Sequence, residues 1–356
     1  ASHHQQQYNR HFGCPGYSNE MSFNHSKGGY THGLSPQSVL VGKNIRLPII
    51  GIGTGPGNDD ETQLIIDAAL EAGYRLIDTA RSYDSEEPVG KVLKRWFDSG
   101  RLKREAVFIT TKCHITHFRP EHIEKSIDKS LEALQLDYVD LFLAHNPVGL
   151  QYVESGFPMG PDGDVLVDMN TDIIANWKVM ESLVDKGKTK TIGLSNFNVK
   201  QVKRIIDSAR IKPVNNQIEL YVYLQQPKLV KYCKNNGLTL CAYGPLGAPY
   251  LKDSSMSSDQ GGNCQTPMQD PVVLEIAKKY GKSPGQVLLR FLVQSGIAVI
   301  PRSSKPERVK QNIDIFDFEL SENDYNKLKA LEKGEAGRQL GKNASLKKHP
   351  EYPFDS

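Results

Sequence analysis

The stretch "ETQLIIDAALEAGYRLIDTARSYDSEEPVG", residues 61–90, contains the unit from which the fold can be predicted. Apolar residues recur at helical spacing in its first part, and Gly73 is typical of the end of a helix. The segment "RLIDTA" then predicts a short buried strand, and "EPVG" begins a second helical pattern. Helices that alternate with buried strands indicate a parallel sheet covered by helices.

The same alternation extends through most of the chain. A hairpin is predicted within "SVLVGKNIRLP", followed by a first inner strand from Ile49 to Gly53. Seven more strands are predicted at "RLIDTA", "AVFITTK", "YVDLFLAH", "TKTIGLS", "VNNQIEL", "LTLCAYG" and "IAVIPRS". Eight parallel strands favour a closed barrel over an open sheet. We therefore predict an α/β fold, a (β/α)8 TIM barrel with an N-terminal β-hairpin and long loops at its C-terminal face.

Two segments with different properties are expected in the 356 residues. Residues 1–37 are rich in His, Gln, Asn, Ser and Gly, which predicts a disordered N-terminal extension or a non-native remnant. They begin without Met or an apolar run, so we expect no secretory signal. Residues 38–356 have no internal linker and are predicted to form one domain.

Composition excludes several classes of partner. The formal net charge of +3 gives no argument for a nucleic-acid or membrane partner, and we find no apolar run of about 18 residues. The five cysteines are Cys14, Cys113, Cys233, Cys241 and Cys264. Without C-x-x-C spacing, they predict free thiols in a reducing compartment and neither a disulfide framework nor a zinc site.

Two connections are longer than the others. One runs from Asn146 to about Asn170 after the fourth strand, and the other from Gly247 to about Asp270 after the seventh. Long loops at the carboxyl ends of barrel strands are usually binding loops. The aromatic residues in the terminal "PEYPFDS" indicate a C-terminal segment that folds back over the domain.

Four ionisable residues lie at the predicted carboxyl ends of consecutive strands. Asp78 ends the second strand and Tyr83 follows it, Lys112 ends the third, and His145 ends the fourth. Taken singly, they could be a cap, a packing residue, a solvated lysine and a core histidine. Together, at the end of a barrel where active sites lie, they indicate a catalytic site.

These four residues suit proton donation to a carbonyl oxygen. A free tyrosine has a pKa of about 10, and an ammonium in contact with it lowers that pKa by favouring the phenolate. A buried Lys112 would need a counter-ion, which Asp78 can supply. His145 could orient the carbonyl or share the proton, so Tyr83 is predicted to be a general acid.

Carbonyl reduction also needs a hydride, which side chains cannot supply. Ser195, Asn196 and Gln217 could hold the carboxamide of a nicotinamide, and the ring of Tyr243 could stack on it. Because G-x-G-x-x-G is absent, a Rossmann dinucleotide site is not supported.

A basic cluster follows the eighth strand. Arg302, Ser303, Lys305 and Arg308 lie near the start of a helix at Pro306, where an anion is favoured. An exposed basic turn without a ligand explains the same residues.

Residues 38–356 resemble the aldo-keto reductases, in particular the branch of aldose and aldehyde reductases. The similarity rests on "IIGIGT", "RLIDTARSY", "GLSNFN", "NNQIEL", "CAYGPLG", "IPRSSKPERV" and the terminal "YPF". The resemblance implies that Asp78, Tyr83, Lys112 and His145 form a catalytic tetrad that reduces a small-molecule carbonyl substrate. It also implies a cytoplasmic monomer that uses NADPH/NADP+ and no metal.

The resemblance places further residues around the two ligands. Those expected to contact the cofactor are Thr54, Asp78, Ser195, Asn196, Gln217, Tyr243, Gly244, Leu246, Arg302, Ser303, Lys305, Arg308, Gln311 and Asn312. Those expected to line the substrate pocket are Gly55, His114 and Asn146.

Several residues depart from the pattern of this branch. Gly55 and Asn146 replace two usual tryptophans, and Trp96 and Trp177 lie in helical patterns as structural residues, so we expect a less aromatic pocket. Arg302 replaces the usual phosphate-binding lysine.

Three more departures affect the cofactor. Tyr250 and Pro56 replace the acidic and basic halves of the usual bridge over the cofactor, which predicts fast cofactor release. Gln311 replaces the usual acidic residue near the adenine.

Two other functions remain open from the sequence. Lys112 could form a Schiff base in an aldolase, since such barrels also place a lysine at a strand end. A non-catalytic redox-sensing or structural protein could have kept the same scaffold. For a reductase, a steroid or ecdysteroid ketone, a lipid aldehyde and a sugar aldehyde are all open as substrates.

Overall fold

The computed structural model describes residues 38–42, 44–249, 266–341 and 343–354, all in one unit of the chain. An antiparallel hairpin of β1 (Ser38–Gly42) and β2 (Ile45–Pro48) comes first, as predicted. The extension before residue 38 lies outside the described residues.

Eight parallel strands follow the hairpin. They are β3 (Ile52–Gly53), β4 (Leu76–Asp78), β5 (Phe108–Cys113), β6 (Val139–Ala144), β7 (Thr189–Ser195), β8 (Asn215–Glu219), β9 (Thr239–Tyr243) and β10 (Ala298–Val299). Each pairs with the next along the chain, and a parallel bridge from Ile50 to Val299 joins the two ends of the sheet. The predicted (β/α)8 barrel is confirmed.

The first inner strand is shorter than predicted. Ile50 pairs with Val299 on one side, whereas Ile52 pairs with Ile77 on the other. The chain therefore passes from one neighbour to the other within three residues, and only Ile52–Gly53 forms a regular strand.

Helices cover the outside of the barrel. They are α1 (Asp59–Glu71), α2 (Glu86–Asp98), α3 (Ile123–Leu134), α4 (Ile173–Asp185), α5 (Val199–Ser208), α6 (Pro227–Asn235), α7 (Pro271–Tyr280), α8 (Pro284–Gln294), α9 (Pro306–Ile313) and α10 (Glu322–Lys329). Helix α1 begins where the Asn58 side chain accepts a hydrogen bond from the Glu61 N–H, and Gly73, at a φ of 98°, follows its end. None of the described helices has the length and apolar character needed to cross a membrane.

The strands are buried on both faces, as expected for a parallel sheet enclosed by helices. Every residue of β5 and β6 is buried. Trp96 donates to Asp67 and Trp177 to the Ile211 carbonyl, both from buried positions, so both tryptophans are structural as predicted. The polar groups of the core therefore concentrate at the carboxyl ends of the strands.

The first long loop is held by a partly buried ion pair, by exposed pairs from Glu154 to Lys125 and Lys129, and by its own backbone. Arg119 donates two hydrogen bonds to the buried carboxylate of Asp168. Within the loop, Leu150 and Val167 form an antiparallel bridge. Most of the second long loop, including Tyr250 and Cys264, lies outside the described residues, as does Cys14.

The C-terminal segment folds back on the domain, as predicted. The Gln201 amide donates to the Glu351 carbonyl at 2.8 Å, and Arg204 pairs with the Glu351 carboxylate at 2.6 Å. Tyr352 is buried against the first long loop in a cluster with Val148, Leu150, Val167 and Leu346. The segment therefore supports the loop that borders the barrel mouth.

Candidate active site

A buried ion pair lies at the ends of β4 and β5. The Lys112 ammonium is fully buried and donates to Asp78 Oδ1 at 2.6 Å and to the Thr79 carbonyl at 2.9 Å. The other Asp78 oxygen accepts from the Gln217 amide at 2.7 Å. Since these partners satisfy both charges, the pair can persist in the core.

Tyr83 and His145 lie directly above this ion pair. A short 3-10 turn over Arg81–Tyr83 brings the phenol over Lys112, whose ammonium lies 4.9 Å from the ring centre. The Tyr83 hydroxyl is 3.4 Å from His145 Nε2, and the Ser82 hydroxyl is 3.3 Å from His145 Nδ1. All four residues predicted to form the tetrad are thus brought together.

The protonation states follow from burial and charge. Burial lowers the pKa of His145 well below its ordinary value, and Lys112 and His114 lower it further. Burial of the Tyr83 hydroxyl raises its pKa, and the opposing effect of Lys112 does not reverse this. The net lowering expected from the sequence is therefore wrong. At neutral pH the site holds a neutral imidazole and a protonated phenol, which suits an acid.

Lys112 is poorly arranged for Schiff-base chemistry. Burial alone would lower its pKa, but the charges of Asp78 and Tyr83 hold that pKa above its ordinary value. A lysine that attacks a carbonyl must be neutral and reachable, whereas this one is a buried ammonium. The geometry therefore argues against the aldolase alternative.

The amide residues predicted for the cofactor adjoin the tetrad. The Asn196 side chain donates to the His145 carbonyl at 3.0 Å, and its oxygen accepts from the Tyr243 hydroxyl at 2.5 Å. Asn196 has a positive φ of 65°, and its N–H donates to the Gln217 carbonyl. Ser195, Asn196 and Gln217, the residues predicted to hold a carboxamide, are thus brought together beside the tetrad.

Two smaller groups of predicted cofactor residues also lie at this end of the barrel. The Thr54 hydroxyl is 2.9 Å from that of Ser85, and the Thr54 N–H donates to the Asp78 carbonyl. Gly244 has a φ of 59° in the turn after β9, followed by Leu246.

The basic cluster begins helix α9. Arg302, Lys305 and Arg308 are exposed, and no carboxylate among the described residues forms an ion pair with them. Ser303 lies between them and accepts from the Lys305 N–H at 3.1 Å. Three unneutralised cations at a helix N-terminus fit a phosphate. Further along α9, Gln311 is exposed and Asn312 is buried.

The residues predicted to line the substrate pocket lie in different surroundings. The Asn146 side chain accepts from the Val148 N–H at 2.9 Å. Gly55 is buried beneath the guanidinium of Arg302, on the side of the basic cluster. His114 borders a pocket of about 260 Å³ that also includes Arg81 and Glu154.

The wall of this pocket is polar. The Thr116 hydroxyl lies 2.7 Å from His114 Nδ1 and 2.9 Å from His117 Nδ1, joining the two rings. Burial lowers the pKa of both His114 and His117 to about 4, so both are neutral at pH 7. The described residues contain no group of three or more His, Cys, Asp or Glu that could hold a metal.

Sequence reasoning missed residues that act through the backbone. Glu219, at the end of β8, is buried and accepts the N–H groups of Gln339 and Leu340, both at 2.9 Å. Arg338 lies 3.9 Å from the same carboxylate and stacks on Phe354. The sequence shows Glu219 near the end of the predicted strand "NNQIEL", but nothing in the sequence indicates that it binds the backbone at Gln339, 120 residues later.

Comparison with known proteins agrees with this geometry. The sequence model described as the aldo/keto reductase family matches residues 49–333. The chain belongs to this family. It is 38% identical over 327 residues to aldo-keto reductase family 1 member A1-A of Danio rerio, covering 89% of this chain and 98% of that protein. It is also 38% identical to dihydrodiol dehydrogenase 3 of Bos taurus, covering 89% and 97%.

A solved structure supports the same assignment. The aldose reductase from Schistosoma japonicum superimposes with a TM-score of 0.79 at 38% identity, covering 87% of this chain and 96% of that one. This aldo-keto reductase is accordingly an oxidoreductase that acts on carbonyl or alcohol groups, as members of its family do with nicotinamide cofactors.

Proposed function

We propose that this protein reduces an aldehyde or ketone with NADPH and that Tyr83 protonates the carbonyl oxygen. The observation that carries the proposal is the position of the Tyr83 hydroxyl, 3.4 Å from His145 Nε2 and above the buried Lys112–Asp78 pair. NADPH, when bound, supplies the hydride that no side chain can supply.

The side chains around Tyr83 make its proton available. As the phenol gives up its proton, a negative charge develops beside the Lys112 ammonium, which stabilises it. Asp78 keeps that ammonium charged. If the Ser82 hydroxyl donates to Nδ1 of His145, the ring carries its proton on Nε2 and can hold the carbonyl oxygen.

The basic cluster supports NADPH over NADH. Arg302, Lys305 and Arg308 carry charge that a 2′-phosphate would use and that NADH would leave unpaired. A charge-assisted hydrogen bond contributes roughly 1.5–3 kcal/mol, which corresponds to a preference of about tenfold or more. A cytoplasmic monomer with a small-molecule substrate stays part of the proposal.

The proposal includes a small-molecule carbonyl substrate, with a steroid or ecdysteroid ketone, a lipid aldehyde and a sugar aldehyde as the candidate classes.

The Tyr83→Phe variant tests the proton donor. We expect turnover to fall by roughly 10²–10⁴-fold, as for loss of a general acid, while NADPH binding stays within about twofold. Turnover is followed by NADPH absorbance with sugar, lipid and steroid carbonyl compounds, and binding by fluorescence titration. Tyr232→Phe on helix α6 is the matched control. Turnover of Tyr83→Phe within about tenfold of the wild type would exclude this role.

A further inference from the structure

Arg302 connects two loops that the closed barrel brings side by side. Its guanidinium extends from the segment before α9 to the loop after β3, where it donates to the Pro56 carbonyl. The Gly53 N–H also donates to the Pro301 carbonyl at 3.0 Å, so the two loops are joined at their bases. The basic cluster is therefore tied to the loop that follows the first barrel strand.

Gly55 provides the space for this arrangement. A Cβ added at Gly55 would lie 2.8 Å from Arg302 Nη1, closer than real Cβ contacts, and 3.0 Å from its Cζ, tighter than most of them. The exposed guanidinium would therefore have to move away from its present position. The φ of Gly55 is not in the left-handed region, so the backbone does not require glycine there. A Cβ at Gly57 would lie 3.6 Å from Arg302 Nη2, an ordinary contact. Gly55 is thus distinguished from its neighbour by the guanidinium above it.

An arginine held in this way is prepared for an anion. The Pro56 carbonyl takes one of five guanidinium donors, which leaves others for a planar, two-point contact. Fixing the side chain beforehand removes part of the ordering cost that a ligand would otherwise meet. Lysine could not hold the carbonyl and an anion in the same fixed geometry.

We infer that Gly55 determines cofactor selectivity by making room for the Arg302 guanidinium, which its bond to Pro56 holds in place for a 2′-phosphate. The inference rests on the proposed function in taking the anion to be the 2′-phosphate of NADPH. It assigns Gly55 to the cofactor, whereas the resemblance assigns it to the substrate pocket.

Binding measurements on Gly55→Ala test the inference without any turnover. Titration calorimetry with NADPH, NADH and adenosine 2′,5′-bisphosphate gives the three affinities. We expect Gly55→Ala to weaken NADPH and the bisphosphate about tenfold, as for one charge-assisted hydrogen bond, and to change NADH less than about twofold. Gly57→Ala, the matched control, should change all three less than about twofold.

A double-mutant cycle shows whether the effect passes through Arg302. In an Arg302→Ala background, Gly55→Ala should not weaken NADPH binding any further, because the guanidinium that the added methyl group would displace is already absent. If Gly55→Ala does not fold, as judged by thermal melting, Arg302→Lys replaces it. This substitution keeps the positive charge but removes the planar guanidinium. It should therefore lower the affinity for NADPH and leave the affinity for NADH unchanged.

Other results separate this inference from the proposed function. A wild-type protein that binds NADPH no better than NADH would exclude the proposed cofactor preference. A wild-type preference that survives Gly55→Ala would exclude the role of Gly55, and one that survives Arg302→Lys would exclude the fixed guanidinium, while the proposed cofactor preference would stand in both cases. Equal weakening of NADPH and NADH by Gly55→Ala would also overturn it, because Gly55 would then act away from the phosphate.

Discussion

At the scale of single residues, one carboxylate organises the catalytic end of the barrel. Asp78 accepts from Lys112 with one oxygen and from Gln217 with the other, and it is buried. It therefore links the ammonium beneath Tyr83 to one of the amide residues across the barrel. Both bonds are internal to the protein, and Asp78 thereby fixes the charge and the position of Lys112.

Replacing Asp78 by Asn should destabilise the protein strongly. The Lys112 ammonium would stay buried without a counter-charge, and breaking such a pair costs about 3–5 kcal/mol. Urea unfolding measures the change in the free energy of unfolding. Asp98→Asn, which breaks the exposed Lys94–Asp98 pair, is the control and should have little effect. Equal effects of the two substitutions would mean that Lys112 does not depend on Asp78.

The protonation of His145 predicts how activity depends on pH. Its pKa is lowered well below the ordinary value, so the imidazole stays neutral as the pH falls through about 6.5. Reduction should therefore show no acid limb there. On the alkaline side, Tyr83 has a raised pKa and stays protonated until the pH exceeds about 10. Profiles of kcat/KM and the NMR titration of the ring check both limits, and an acid limb near 6.5 that follows His145 would contradict them.

The tetrad could be predicted from sequence because each member follows directly from a strand end. Asp78, Lys112 and His145 end adjacent strands of one barrel, and such ends converge. The raised pKa of Tyr83 could not be predicted, since it depends on how far burial outweighs Lys112. The contact of Arg302 with Pro56 was equally hidden, because it requires closure of the sheet between the first and last strands.

At the scale of elements, the spacing of apolar residues predicts most of the helices and strands, but it does not predict the residues at which they begin and end. The strands β5 (FITTKC) and β6 (VDLFLA) are rich in apolar and β-branched residues and are buried at every position, as in strands that are covered on both faces. Helix α10 was not predicted, because its eight residues carry few apolar groups and only Asp324 and Leu328 are buried. Its position is set by tertiary contacts, such as the 2.6 Å pair between Lys279 and Asp324.

The ion pair of the first long loop makes a prediction at this scale. Burial alone would raise the pKa of Asp168, but Arg119 and the Asn170 N–H hold it below its ordinary value. A carboxyl with a depressed pKa stabilises the structure above its unfolded pKa of about 3.9, and the contribution is lost as the pH falls through the folded value. Protection of the loop amides against hydrogen exchange, relative to their intrinsic rates at each pH, should therefore fall selectively on acidification below about pH 4.

Substitution identifies the group responsible. Asp168→Asn should give fast exchange in residues 146–170 already at pH 7, since the amide cannot replace the charge facing Arg119. Asp162→Asn changes an exposed carboxylate in the same loop and is the control. Slow exchange in Asp168→Asn at pH 7 would show that the Leu150–Val167 bridge suffices to order the loop.

At the scale of the whole molecule, the C-terminal segment joins parts of the barrel that are far apart in sequence. Glu219 holds the backbone of residues 339–340 at the end of β8, and Glu351 is held by Gln201 and Arg204 on α5. Arg338 also stacks on Phe354 and so joins the start of the segment to its end. The segment therefore crosses from one side of the mouth to the first long loop.

Tyr352 is the residue through which the C-terminal segment packs against the first long loop. Removing its side chain should therefore increase local opening of that loop. Its ring packs with Val148, Leu150 and Val167 in a small cluster separate from the main core. Tyr352→Ala would leave those side chains partly uncovered, and we expect a loss of about 1–3 kcal/mol, concentrated in local opening of the loop. Met169→Ala, at a half-exposed position of the same loop, is the control and should change little.

Hydrogen exchange should rise in residues 146–170 while NADPH affinity is unchanged, because the basic cluster lies elsewhere on the barrel. Exchange that rises equally throughout the chain would instead mean that the segment is part of the global folding unit and does not control the loop alone.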